Sequence, residues 1–283
     1  MTDMPPHRLL QQAVRAAIAR LDADGLPLPD DLKALARDPA EPGVAEKERT
    51  QKRLAALVRR LLRGQQQRLL DALATRPPPR AQKNAAEDWL DYNLGGWLDD
   101  DEIPSALLLL LTDAVEGGVR LGDMGILDTT LVNRNAQRWA RERAPELLGQ
   151  VNDTTRQAVL EQVQAFIETP GYTVADVARE LDGVFGVERA ERVAVTEITG
   201  AYAEGQLLAG RELASTYPDV RVIKTWFTNN DSRVCPLCGP LHGMAVDIDS
   251  GWGADGSDDP EGVQGPPLHP NCRCWLGTRT KIK

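Results

Sequence analysis

The side chains able to do chemistry in this 283-residue chain gather near one end, where all four cysteines and two of the three histidines lie between Asp231 and Lys283. Cys235-Pro-Leu-Cys238 is followed, after a long loop, by His269-Pro-Asn-Cys272-Arg-Cys274. Thiolates and imidazole are the ligands that tetrahedral Zn(2+) takes, and two close-spaced pairs closing a loop encode a structural site. Five donors compete for four positions. In an extended segment residues two apart face one side, so Cys272 and Cys274 can both point at the same ion. An all-cysteine site would release His269, and a site of three thiolates and one imidazole would release Cys272 or Cys274. The ranking puts Cys235, Cys238 and Cys274 first, with His269 or Cys272 completing the set. His242 is within reach but reads more simply as a polar loop residue.

Other uses of these cysteines fit less well. The first residues, Met1-Thr-Asp-Met-Pro-Pro, lack the basic start and apolar run of an export signal, so a reducing cytosol is expected and paired disulfides are disfavoured. A thioredoxin-like redox pair would cap a helix beside a βαβ unit, and no such alternation appears.

The elements that must position this site are mostly helical. Leu9, Ala13, Ala17 and Leu21 recur at helical spacing before Gly25, Pro27 and Pro29 break the run. A second helix carries Leu54, Val58, Leu61, Leu62, Leu69 and Leu73 on one face. Its other face, from Arg49 to Arg68, is basic, and reads either as a solvated surface or as a contact for DNA phosphates or an acidic partner. Pro77-Pro-Pro79 ends this arm as a stiff linker. Further apolar stripes follow at Trp89–Trp97, Leu107–Val119 and Val132–Ala140, the last expected to stop at Leu147-Leu-Gly149. After Asn152-Asp-Thr154 a separate helix is expected through Val159–Ile167. Thr173 with Asp176 forms a capping pair for the next one. The last long helix, about Glu188 to Ala214, is expected to break or bend at Gly200, Gly205 or Gly210. On it, Arg192, Thr196 and Glu197 could form a polar cluster tying the helix to its neighbours.

Beyond Tyr217-Pro218 the period changes to two. Val220–Phe227 reads as a strand, with shorter candidates at Met244–Ile248 and Arg273–Arg279. The acidic, Gly-rich run from Asp247 to Glu261 reads as solvated loop. The fold class expected is therefore mainly α, a helical bundle body plus a small C-terminal α+β module whose short antiparallel sheet is stapled by zinc. Its divisions are an arm over 1–80, a helical body over 81–215 and a metal-binding module over 216–283.

The net charge of −9 argues against a surface coated with nucleic acid. The longest apolar run, Ala106 to Leu111, is too short to cross a bilayer, so no membrane partner is expected. A zinc-dependent nuclease would need histidines and acids beyond the structural ligands, and only His7 and His242 remain.

Arg192-Val-Ala-Val-Thr-Glu197, then Lys224-Thr-Trp226 with Asp231-Ser-Arg-Val-Cys235-Pro-Leu-Cys238, then Pro267-Leu-His269-Pro-Asn-Cys272-Arg-Cys274, resemble the phage Mu F-like minor head protein family. The resemblance covers about Thr129 to Thr280. It implies a non-enzymatic head morphogenesis protein of a tailed bacteriophage or prophage, inside the capsid of the virion and in the host cytoplasm during assembly. The partners it implies are portal, capsid and scaffold proteins, with DNA as a use for the Arg49–Arg68 helix. Similar modules occur fused to effector domains in bacterial toxins. Here the chain given continues only nine residues past Cys274, so an effector is not expected.

Overall fold

A computed structural model describes residues 41–79, 85–94, 102–122, 129–229, 231–253, 258–259 and 261–282. The helix expected around Leu9–Leu21 lies outside the described residues. The helices are α1 (Val44–Thr75), α2 (Ala85–Leu94), α3 (Glu102–Gly122), α4 (Thr129–Glu168), α5 (Val174–Glu180), α6 (Asp182–Phe185) and α7 (Val187–Thr216). Strands β1 (Val220–Phe227), β2 (Ala245–Asp247), β3 (Gly251–Trp252), β4 (Asp258–Asp259) and β5 (Trp275–Ile282) follow.

The helices close on one apolar core. Leu54, Leu62 and Leu69 of α1, Leu111 and Val115 of α3, Val159 and Val163 of α4 and Ile198 of α7 are all buried in it. At the centre α3 and α7 meet almost backbone to backbone. A Cβ on Gly205 would stand 2.0 Å from the carbonyl oxygen of Val115, and one on Gly118 would stand 2.1 Å from that of Tyr202. Small residues at a crossing let two helices approach this closely. The glycines of α7 therefore mark contacts. The helix runs unbroken from Val187 to Thr216, where the sequence suggested a break or bend.

Helix α4 corrects a second expectation. It continues through Gly149 and Asn152-Asp-Thr154 as one element of 40 residues. The hydroxyls that usually favour a turn are satisfied from within the helix. The hydroxyls of Thr154 and Thr155 donate to the carbonyls of Gln150 and Val151, and Asn152 accepts from Gln65 of α1. The predicted cap of α5 forms as a reciprocal capping box between Thr173 and Asp176.

The three-stranded sheet has the order β2-β1-β5 and is antiparallel throughout. Its inward face packs Val222, Trp226, Val246 and Leu276 on Leu207 and Leu213 of α7, so α7 serves both the helical core and the C-terminal module. The described residues of the Asp247–Glu261 run are not all solvated loop. β3 pairs with β4, and Trp252 is buried edge-on to Trp226 at 5.4 Å between centroids. One large apolar ring outweighs the Gly and Asp around it.

Candidate metal centre

Two turns carry the donors. In the first, the backbone N–H of Gly239 donates to the carbonyl of Cys235, and that of Cys238 reaches the Cys235 sulfur at 3.3 Å. In the second, the N–H of Cys272 donates to the carbonyl of His269 at 3.2 Å. Pro270 and Asn271 fill the middle of that turn, and Asn271 has φ 63°. Proline second and a left-handed residue third is type II turn chemistry, and Asn tolerates that conformation better than most residues.

These turns bring all five predicted donors to one place. The donor atoms of Cys235, Cys238 and His269 lie within 4.8 Å of one another, as do those of Cys238, Cys272 and Cys274. Cys238 belongs to both groups. His269 Nε2 stands 3.0 Å from the Cys235 sulfur and 3.3 Å from that of Cys238, and Cys238 and Cys272 are 3.8 Å apart. With Zn–S bonds of 2.3 Å, the edge of a tetrahedron is about 3.8 Å. All four cysteines are free thiols.

The protonation chemistry also fits a cation. His269 Nδ1 lies 2.8 Å from the carbonyl oxygen of Pro270. A carbonyl only accepts, so Nδ1 carries the proton and Nε2 turns its lone pair toward the sulfurs. Burial lowers the pKa of His269, but that carbonyl and the nearby Cys272 and Cys235 raise it overall. Burial raises the Cys235 thiol, yet the N–H and side chain of Cys238 and the N–H of Leu237 hold it below its ordinary value. A hydrogen bond from the Cys274 thiol, against the effect of burial, brings Cys272 down to about 5. Cys238 is pushed up to about 12 by burial and by Cys272, and Cys274 is raised by its bond to Cys272, burial and the charge there. Crowded thiols resist ionising together unless a cation sits among them. The cluster could therefore hold a metal ion.

The surrounding contacts fix the two turns to each other and to the helices. Arg273, between Cys272 and Cys274, makes a bidentate pair with Asp231 at 2.9 and 2.8 Å. The Arg273 bond holds the Asp231 carboxyl down at about 2. The N–H of Asn271 donates to Thr196 Oγ1 on α7 at 2.8 Å, and Thr196 donates to the carbonyl of Arg192. Its neighbour Glu197 takes a bidentate pair from Arg143 of α4 at 2.9 and 2.8 Å. The polar cluster expected on α7 is thus built from Thr196 and Glu197, while Arg192 contributes its carbonyl. His242 lies outside both donor groups. Its Nδ1 accepts the backbone N–H of Thr228 at 3.1 Å.

Lys224, in the Lys224-Thr-Trp226 motif, is not among the predicted site residues. It is fully buried, donates to the carbonyl and the side-chain oxygen of Gln264 at 2.9 and 3.1 Å, and lies 5.2 Å from the Trp252 ring centroid. Burial holds its ammonium at about 8. The signal available was its place on the inward face of a strand otherwise filled by Val222 and Trp226.

Residues 154–277 match the sequence model of the family described as Phage Mu protein F like protein. The matched region runs from the second half of α4 through α7 to the start of β5, and so contains the whole donor cluster, the Arg273–Asp231 pair and the Thr196–Asn271 bond. No curated protein and no solved structure matches the chain.

Proposed function

We propose that this phage Mu F-like protein is a minor capsid protein, assembling with portal and scaffold inside the procapsid of a tailed phage through its metal-stapled knob. One observation carries this reading: the motif residues of the matched region join parts of the molecule. Thr196 holds the His269–Cys272 turn, Glu197 holds α4, Arg273 holds Asp231 and Lys224 holds Gln264. Residues arranged this way shape a rigid surface, which is what a docking protein needs. A nuclease would need a free general base, and the Nδ1 of His242 is already committed to Thr228.

The knob, residues 216–283, is the unit that docks, and the helices of 81–215 are its body, with α1 packed into the same core. The resident ion is zinc, held by Cys235, Cys238, His269 and Cys272. His269 Nε2 reaches the Cys235 and Cys238 sulfurs at 3.0 and 3.3 Å, and Cys272 lies 3.8 Å from Cys238. Cys274 stands beside the site as its fifth donor. On the Arg49–Arg68 face, Arg53 and Arg60 pair with Asp113 and Glu102, which takes two cations away from any contact with packaged DNA.

The test is genetic and biochemical. Particles assembled without the protein should be defective in number, DNA retention or infectivity, and the protein should co-purify with portal. Normal yields of fully infectious particles from a deletion would sink the proposal.

A further inference from the structure

A groove of about 820 Å³ runs between α1 and the first half of α7. On α1 its lining residues recur three and four apart from Glu48 to Arg63, and on α7 they do so from Val187 to Val195. Each helix thus turns one continuous face to the groove, and no third helix fills it among the described residues. Two helices sharing a trough in this way form the seam of a three-helix bundle that lacks one member. Its floor is small: Ala55 and Ala56 on one side, Ala190 and Ala194 on the other. An alanine floor lets a helix approach to about 8 Å between axes. From Glu48 to Arg63 the α1 wall is about 22 Å long, or about four helical turns.

The walls differ in charge. The α1 wall carries Lys52, Arg59, Arg60 and Arg63. Arg60 pairs with Glu102, whereas Lys52, Arg59 and Arg63 have no ion-pair partner among the described residues. The Nε of Arg59 is buried and meets no acceptor. A guanidinium nitrogen withdrawn from water without a partner is costly, and a carboxylate is the acceptor that suits its fork. The lining acids are Glu48 on α1 and Glu191 on α7, one to each wall. The α7 wall is otherwise apolar, with Val187 exposed at 39%.

We infer that this groove takes an acidic amphipathic helix of a partner protein, its apolar side on α7 and its carboxylates along Lys52, Arg59 and Arg63. The fit is one of shape as well as charge. A DNA duplex would satisfy the cations but has no apolar face to cover the alanine floor.

The test titrates the full-length chain with fluorescent helical peptides about four turns long. One carries Leu along one side and Glu along its flank, the second has Lys in place of each Glu, and a short DNA duplex is run beside them. The acidic peptide should bind and the Lys peptide should not. Ala56→Trp, which fills the floor from an exposed position, and the double variant Arg59→Glu/Arg63→Glu should each weaken binding about tenfold or more, with the far-UV spectrum unchanged. Absence of acidic-peptide binding, equal binding of both peptides, or indifference to Ala56→Trp would overturn the inference. Duplex binding in place of the peptide, lost in the double variant, would make the groove a nucleic-acid face. Peptide binding is read without assembling particles, so its loss and a failure of the head-protein proposal are separately visible.

Discussion

In the helical body, Leu54, Leu62, Leu111 and Ile198 are sealed among side chains from four helices, and glycines let α3 and α7 touch. The knob buries a smaller set, and three of its buried members are cysteines. Its centre holds a charged Lys224 against Trp252, which stands edge-on to Trp226. The body is held by apolar area and close packing, which a long chain can supply. The knob is too small for that and relies on a donor cluster, a bidentate ion pair and hydrogen bonds to α7. The two regions should therefore fail under different insults.

Metal removal makes the largest separation. Chelation, or Cys238→Ser, should unfold the knob, since a structural zinc contributes on the order of 10 kcal/mol, while most helical signal survives. Elemental analysis should give about one zinc per chain. Cys235→Ser and Cys272→Ser should lose it and Cys274→Ser should keep it; zinc retained in Cys272→Ser would move the fourth ligand to Cys274. Gly205→Leu strikes the body instead. Its side chain would be driven into the α3 backbone, costing about 3 kcal/mol or more of thermal stability, with zinc content unchanged.

Lys224→Met tests the knob through pH. The folded-state pKa of about 8 lies below the ordinary lysine value of 10.5, so the unfolded chain binds more protons between them. Stability should rise with pH across that window by on the order of 1–3 kcal/mol relative to Lys224→Met, compared at saturating metal. Identical pH profiles for the two proteins would remove Lys224 from the buried charges. Thr196→Val should cost about 1 kcal/mol by leaving the Asn271 N–H unpaired, and Thr196→Ser should restore it. Asp231→Asn should have the smallest effect. Its carboxyl is held at about 2, so its stabilising bond to Arg273 is present above about pH 4 and lost as pH falls toward 2. The variant should flatten that acid limb of the knob's unfolding curve and leave neutral pH nearly untouched.

Much of the site was readable before any fold was known, because Cys235-x-x-Cys238 and His269-Pro-Asn-Cys272 carry their own turn chemistry. The strands at Val220–Phe227 and Trp275–Ile282 were legible from their period, although β5 reached further than expected. Other features resisted. Gly205 looked like a helix breaker because the carbonyl it makes room for belongs to Val115, far away in sequence. Asn152-Asp-Thr154 looked like a turn because its hydroxyl-to-carbonyl bonds appear only once α4 has formed. Trp252 was hidden in an acidic run whose partner is Trp226.

By itself the sequence determined which residues could bind a metal, where helices give way to strands and which face of each is apolar, since all of these depend on neighbours a few positions apart. Only the tertiary structure decided that Thr196 would hold the Asn271 turn, that Lys224 would be sealed beneath Trp252, and that α1 and α7 would leave a basic groove between them. Those outcomes depend on which distant faces meet, and a one-dimensional pattern carries no record of how far apart two segments lie in space.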